Sequence, residues 1–264
     1  MTIRTYQVDS FADAPFTGNP AAVCCLDGDG DAEWMQRVAA EMNLSETAFV
    51  WPRSEGFGLR WFTPGAEVSL CGHATLATAH ILWESGATDD EPIAFESASG
   101  QLLARRSGAT IELDFPRRRV VAAPCPNGLL ESMASAEVKL EWEGVAQGYG
   151  VLRVDSVDAV RALVPDLPRL AEVELSGVIV TAGGEGEFDF VSRFFAPALG
   201  VPEDPVTGSA HCALADYWGE RLDRSEMVGR QLSARGGTVS VRLDGERVHL
   251  GGRAVTVWRG EWVG

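Results

Sequence analysis

The sequence predicts an α+β fold of two pseudo-symmetric lobes, each a curved, mainly antiparallel sheet wrapped around a central helix. Three observations lead there. First, segments recur in order: Leu44-Ser45 with Leu175-Ser176, RWFTP (60–64) with RFFAP (193–197), and EVSLCGHATLATA (67–79) with EDPVTGSAHCALA (203–215). Their offsets of 131, 133 and 136 residues keep one order and need only small insertions, as an internal duplication would leave. Second, GHATLATAHIL and GSAHCALADYW are apolar on nearly all sides, the mark of buried helices. Third, FGLRWFT and EFDFVSRFF alternate as half-buried strands do.

The remaining elements follow in chain order. Asp31 is placed to cap a helix through Glu33, Trp34, Val38 and Met42, and Ser156 opens a shorter copy with Val157, Val160 and Leu163. Each leads into an apolar strand, TAFVW (47–51) or GVIVTA (177–182). The two glycine-led helices span about 72–85 and about 208–222. Strands return in AFESASGQLLARR, TIELDFP and TVSVRLDGERVHLGG, where Asp244-Gly245 signals a tight turn and GGEGEF (183–188) a hairpin turn. PRRRVVAAPCPNG (116–128) reads as the boundary, giving an N-terminal lobe of 1–118 and a C-terminal lobe of 119–264.

Composition narrows the function. A formal net charge of −16 disfavours a phosphate backbone as partner, so no nucleic acid is expected. Arg117, Arg118 and Arg119 form the only basic run and read as a solvated segment between lobes. No apolar run approaches the ~20 residues of a membrane helix, and MTIRTYQVDSF lacks a signal-peptide core. A cytoplasmic protein with no membrane partner is therefore expected. The five cysteines show no metal-ligand spacing, so neither a disulfide framework nor a metal is expected. Lys139, the only lysine, sits among acids in EVKLEW, which argues against Schiff-base chemistry.

The helix starts carry the chemistry. A first helical turn offers unpaired N–H groups and partial positive charge, and glycine lets a ligand approach that backbone. Gly72 and Gly208 each open such a helix, and a shared cleft between them would suit a carboxylate or an enolate-like oxygen. Their polar neighbours are Cys71 and His73 in one half, and Asp204, Thr207 and Ser209 in the other. The halves differ in one respect: Leu44-Ser45-Glu46-Thr47 becomes Leu175-Ser176-Gly177-Val178, a carboxylate against no side chain. Glu46 enters an apolar strand, where desolvation would raise its pKa and suit it to general-base work.

TGNPAAV (17–23), NLSETAFV (43–50), RWFTP, LCGHATLATAH (70–80) and EDPVTGSAH (203–211) together resemble the PhzF family, the phenazine-biosynthesis isomerase-like proteins. The resemblance implies the diaminopimelate-epimerase-like fold, a homodimer and no cofactor, while a small acidic substrate is the expectation from the helix starts. In the family's characterised isomerase a glutamate moves a proton between carbons of a dihydro-hydroxyanthranilate ring, and the motif puts that role on Glu46. It carries the site's histidine, aspartate and serine onto His73, Asp204 and Ser209, and Asn19 joins the ligand-binding candidates through TGNPAAV.

Related enzymes on this fold use one cysteine per lobe. The matching positions here are Cys71 and Thr207, and a threonine cannot return a proton as a thiol does. Three readings stay open: a cofactor-independent isomerase using Glu46, a non-catalytic ligand-binding protein, and an epimerase depending on Cys71 as a helix-start thiolate.

Overall fold

The computed structural model describes residues 3–133 and 138–262 of the chain. It divides into two compact units. One holds the chain up to Asp114 together with the stretch from Gly251 onward, and the other holds Phe115–Leu250.

The first unit contains β1 (Ile3–Ser10), β2 (Asn19–Cys25), β3 (Glu46–Pro52), β4 (Phe57–Phe62), β5 (Glu67–Val68), β6 (Ile93–Ser97), β7 (Gly100–Ser107), β8 (Thr110–Pro116) and the last strand, β16 (Ala254–Trp262). Their order is β16-β1-β2-β3-β4-β6-β7-β8, with β5 beside β4. Two helices flank this sheet. α1 (Ala32–Met42) packs Met35, Val38 and Ala39 against Phe49, Trp51 and Phe62, and α2 (Gly72–Glu84) contacts β1, β2 and β3. A strand covered on both faces must be apolar throughout, which is why TAFVW does not alternate. α2 buries every residue from His73 to Ala79, as its all-round apolar sequence requires.

The second unit contains β9 (Glu141–Ala146), β10 (Tyr149–Arg153), β11 (Gly177–Gly183), β12 (Phe190–Phe195), β13 (Glu226–Gln231), β14 (Gly237–Asp244) and β15 (Arg247–Gly252). They are ordered β15-β14-β13-β12-β11-β10-β9. Its helices are the short α3 (Leu129–Met133), α4 (Val157–Ala162) and α5 (Leu167–Leu170), and the long α6 (Gly208–Leu222). α4 packs with Val178, Val180 and Ala182 of β11, while Trp218 of α6 donates its indole N–H to Thr181 at 2.9 Å. The β14–β15 turn falls one residue later than Asp244-Gly245 suggested, at Gly245–Glu246, with Gly245 at φ 57°.

The pairing pattern is the same in both units. β2–β3 and β10–β11 are parallel, β3–β4 and β11–β12 antiparallel, and β4–β6 and β12–β13 parallel. Matching side chains make matching contacts as well. Arg60 forks onto Glu67 through Nε at 2.7 Å and lies over Phe62, and Arg193 forks onto Glu203 at 2.7 Å and lies over Phe195.

Two sequence expectations are corrected. The C-terminal stretch does not stay with the second lobe as a 119–264 division required. β16 pairs with β1 from Ile3↔Trp262 to Ser10↔Ala254, which draws the end of the chain into the first unit. Antiparallel pairing between such distant segments leaves no local sequence pattern. The arginine run is not simply solvated either. Arg117 binds Asp216 at 2.6 Å, Arg118 lies 4.9 Å over the Tyr149 ring, and Arg119 pairs with Glu246.

Asp31 caps α1 as its position predicts, its carboxylate accepting from Trp34 N–H at 2.9 Å. Asp31→Ala is expected to cost about 1 kcal/mol, read as a lower urea midpoint at unchanged slope. Among the described residues no helix is long and apolar enough to cross a membrane.

Candidate active site

In the first unit three chemical groups converge at the start of α2. β3 begins with Glu46, so its side chain leaves the sheet at the strand end. Cys71 is the N-cap of α2 and makes no side-chain capping bond, and His73 follows in the first turn. The Glu46 carboxylate Oε2 lies 3.2 Å from His73 Nε2, with side-chain exposures of 20% and 8%. Although that contact is close, its geometry does not satisfy a hydrogen bond, and the buried Oε2 has no other hydrogen-bond partner. Cys71 Sγ lies 3.5 Å from His73 Nδ1 and 4.0 Å from Nε2. Buried Asn19, at the start of β2, places its amide nitrogen 3.3 Å from His73 Nδ1, and the Ser10 hydroxyl donates to the His73 carbonyl at 2.7 Å.

The electrostatics correct one expectation. Burial does raise the Glu46 pKa, but the charge of His73 and the close approach of His73 and Cys71 outweigh it, and the net shift is downward. Glu46 is therefore held as a carboxylate by its neighbours. Burial also works against a charged His73, but Cys71 and the Glu46 carboxylate beside it outweigh burial and carry its pKa well above the ordinary 6.5. Burial pushes the Cys71 thiol up, and the Glu46 charge pushes it further. A helix-start thiolate was the basis of the cysteine reading, and this environment favours the neutral thiol instead.

The second unit builds a different helix start. Thr207 is the N-cap of α6, the same place Cys71 holds on α2. Its hydroxyl donates to Asp204 in a short hydrogen bond, and its N–H donates to Gln231 Oε1 at 2.9 Å. Gln231 is fully buried and also donates to the Asp204 carbonyl at 2.6 Å. Asp204 and Thr207 are thus locked into one loop, while the Ser209 hydroxyl sits 3.0 Å from that of Tyr149. A Cβ at Gly208 would meet Leu250 at an ordinary 3.4 Å, so packing alone does not demand glycine there.

Gln231 and Tyr149 were missed in the sequence. Gln231 has no local signal, since its role depends on a strand end meeting a distant loop. Gln231→Ala would leave the Thr207 N–H buried and unpaired, and a loss of about 2 kcal/mol is expected in equilibrium denaturation. Tyr149 could have been suspected from the repeat. In the parallel ladders Ala21 stands opposite Glu46, whereas Tyr149 stands opposite Gly177. Gly177 has no room for a side chain, because a Cβ there would lie 2.3 Å from the Phe194 ring. The Tyr149 and Phe194 rings pack edge to face at 4.9 Å. One unit therefore ends its strand in a carboxylate, the other in an aromatic pair.

Other chemistry lies elsewhere. All five cysteines are free thiols. Lys139 pairs with Glu141 at 2.8 Å in an exposed position, and its other acidic neighbour, Glu137, lies outside the described residues.

Residues 8–260 match the family described as phenazine biosynthesis-like protein. The chain belongs to this family. It is 47% identical over 264 residues to an uncharacterized isomerase of Halalkalibacterium halodurans, covering 99% of this chain and 98% of that one. A phenazine biosynthesis protein of the PhzF family from Enterococcus faecalis superposes with a TM-score of 0.91 at 38% identity, over the whole of both chains. A probable proline racemase of Agrobacterium radiobacter shares the fold alone, with a TM-score of 0.63 at 14% identity over 99% of this chain and 93% of that one. The fold expected from the sequence is thus the one found.

Proposed function

We propose that this protein is an isomerase that moves a proton within a small carboxylate-bearing cyclic or unsaturated compound, with Glu46 as the acid and base and without a cofactor. The observation that carries the reading is the Glu46 Oε2 atom: buried, ionised, 3.2 Å from His73 Nε2 and without an aligned hydrogen bond. Such an oxygen is free to take a proton from carbon. Family membership and the isomerase name of the Halalkalibacterium relative support the same class of reaction.

The proposed sequence of events is short. Backbone N–H groups at the α2 start hold the acidic group or the developing anion. Glu46 takes a proton from an activated C–H and returns it to another carbon of the same molecule. The positive His73 keeps Glu46 ionised at rest and stabilises negative charge as it forms. Asn19, with its amide turned so that the carbonyl oxygen accepts from Nδ1–H, fixes the imidazole ring. Gly208 and Ser209 are proposed as ligand-binding groups of the second unit, with Asp204 acting through Thr207 to set the start of α6. The resemblance also leads us to propose a homodimer.

Deuterium exchange tests this. Candidate cyclic and unsaturated acids incubated with the wild type in deuterated water should gain label at carbon. Cys71→Ser should retain most of that exchange, because a neutral buried thiol is not the base. A Cys71→Ser variant that is fully folded but inert, beside an active Glu46→Gln, would replace the glutamate reading with a cysteine-dependent one.

A further inference from the structure

We propose that Glu46, Cys71 and His73 also form a binding site for a thiophilic divalent cation, with Zn2+ the best match. Each residue offers one donor of a different kind: a carboxylate oxygen, a sulfur and a ring nitrogen. The three atoms all lie within 4.8 Å of one another. Zinc bonds of about 2.0–2.3 Å in a tetrahedral arrangement separate neighbouring ligand atoms by about 3.3–3.6 Å. The contacts present, 3.2 Å from Nε2 to Oε2 and 4.0 Å from Nε2 to Sγ, bracket that spacing, so small side-chain movements suffice.

Chemistry and surroundings point the same way. Thiolate with imidazole selects zinc-like ions over Mg2+ or Ca2+, which prefer oxygen. Binding would displace the Cys71 thiol proton and the His73 Nε2 proton to solvent, leaving a thiolate and a carboxylate against the two positive charges. A metal-bound histidine needs an acceptor for its other N–H. Asn19 already faces His73 Nδ1 at 3.3 Å, and rotating its amide would present the carbonyl oxygen. The one-fifth exposure of the Glu46 side chain gives a route inward. Three protein ligands leave a fourth position open, as in accessible rather than structural zinc sites.

A cation here would occupy the Glu46 oxygen and so block proton transfer. That consequence rests on the proposed function, whereas the binding itself does not. No metal-ligand spacing shows along the chain because Glu46 and the Cys71-His73 pair are brought together only by strand β3 meeting the start of α2.

The test is titration of the metal-free full chain with Co2+, followed by near-ultraviolet and visible absorption, and then Zn2+ competition. One equivalent should produce cobalt–thiolate charge-transfer absorption, which Zn2+ should abolish. Cys71→Ser should lose the band, Cys25→Ser and Cys125→Ser should keep it, and Glu46→Gln should bind roughly tenfold or more weakly. No band in the wild type, or a band surviving in Cys71→Ser, would overturn the proposal. Should Cys71→Ser fail to fold by circular dichroism, the Glu46→Gln affinity decides, and an unchanged value counts against the site. Deuterium exchange separates the two readings: Zn2+ bound through these residues without inhibiting exchange would refute the role of Glu46 and leave the metal site standing.

Discussion

Glu46→Gln is expected to lower the turnover rate by about 10²–10⁴-fold, the range of a well-placed general acid or base. Glutamine keeps the volume of the side chain, but it cannot take a proton. The loss should appear in kcat with KM little changed, since the group acts in the transition state rather than in holding the substrate. A second readout lies in His73. Its pKa is raised in part by the Glu46 charge, so histidine resonances followed by NMR should show it titrating at lower pH in the variant. Because its neighbours hold the Glu46 pKa below the ordinary 4.5, the wild type should keep its base ionised well into acid. Deuterium exchange at the wild-type rate in a folded Glu46→Gln protein would remove the central assignment.

The second large effect concerns stability. His211, on α6, is completely buried, and its Nδ1–H donates to the Thr207 carbonyl at 2.8 Å. Nε2 has no hydrogen-bond partner, and the Phe190 ring lies 5.9 Å away. Charging that nitrogen would bury an unpaired cation. Burial therefore pulls the pKa from 6.5 down to about 4, although the Thr207 carbonyl partly opposes it. An unfolded chain takes up this proton below about pH 6.5, and the folded chain resists until about pH 4. Between these values the unfolded state binds more protons, so stability falls as pH falls. The full loss is about 3 kcal/mol at 1.36 kcal/mol per pH unit. Urea midpoints measured from pH 7 to pH 4 should drop steeply for the wild type and less for His211→Gln. Parallel curves for the two proteins would show that His211 is not responsible.

His211 also shows how one position can serve two ends. Its counterpart Thr75 on α2 donates a hydroxyl to the Cys71 carbonyl at 2.6 Å, the same bond four residues back along the helix. Both satisfy the carbonyl of an N-cap. The histidine does so with a larger ring, and Gly229 makes space: a Cβ there would lie 2.4 Å from Phe190 and 3.2 Å from the His211 ring.

Local chemistry determined much of this protein directly in its sequence. Capping by Asp31 and Ser156, the all-round apolar character of α2 and α6 and the alternation of β4 and β12 act over about ten residues, so a reader of the sequence meets them intact. The repeat exposed Glu46 against Gly177 for the same reason: matched segments reveal the position at which they differ. Strands β1, β2, β9, β10, β13 and β16 lack so clear a signal, because their pairing partners rather than their own composition make them strands.

Only the tertiary structure decided how the candidate groups act. It brought the Glu46 carboxylate to His73 and Cys71, and it reversed the expected direction of the Glu46 pKa, because a neighbouring positive ring outweighs burial. It also locked Asp204 and Thr207 through Gln231, filled the space beside Gly177 with Phe194, and returned the end of the chain to β1. Each of these depends on the distance and orientation between side chains far apart in sequence. A linear pattern records which groups are available, while burial and packing set which of them are charged, paired or free to react.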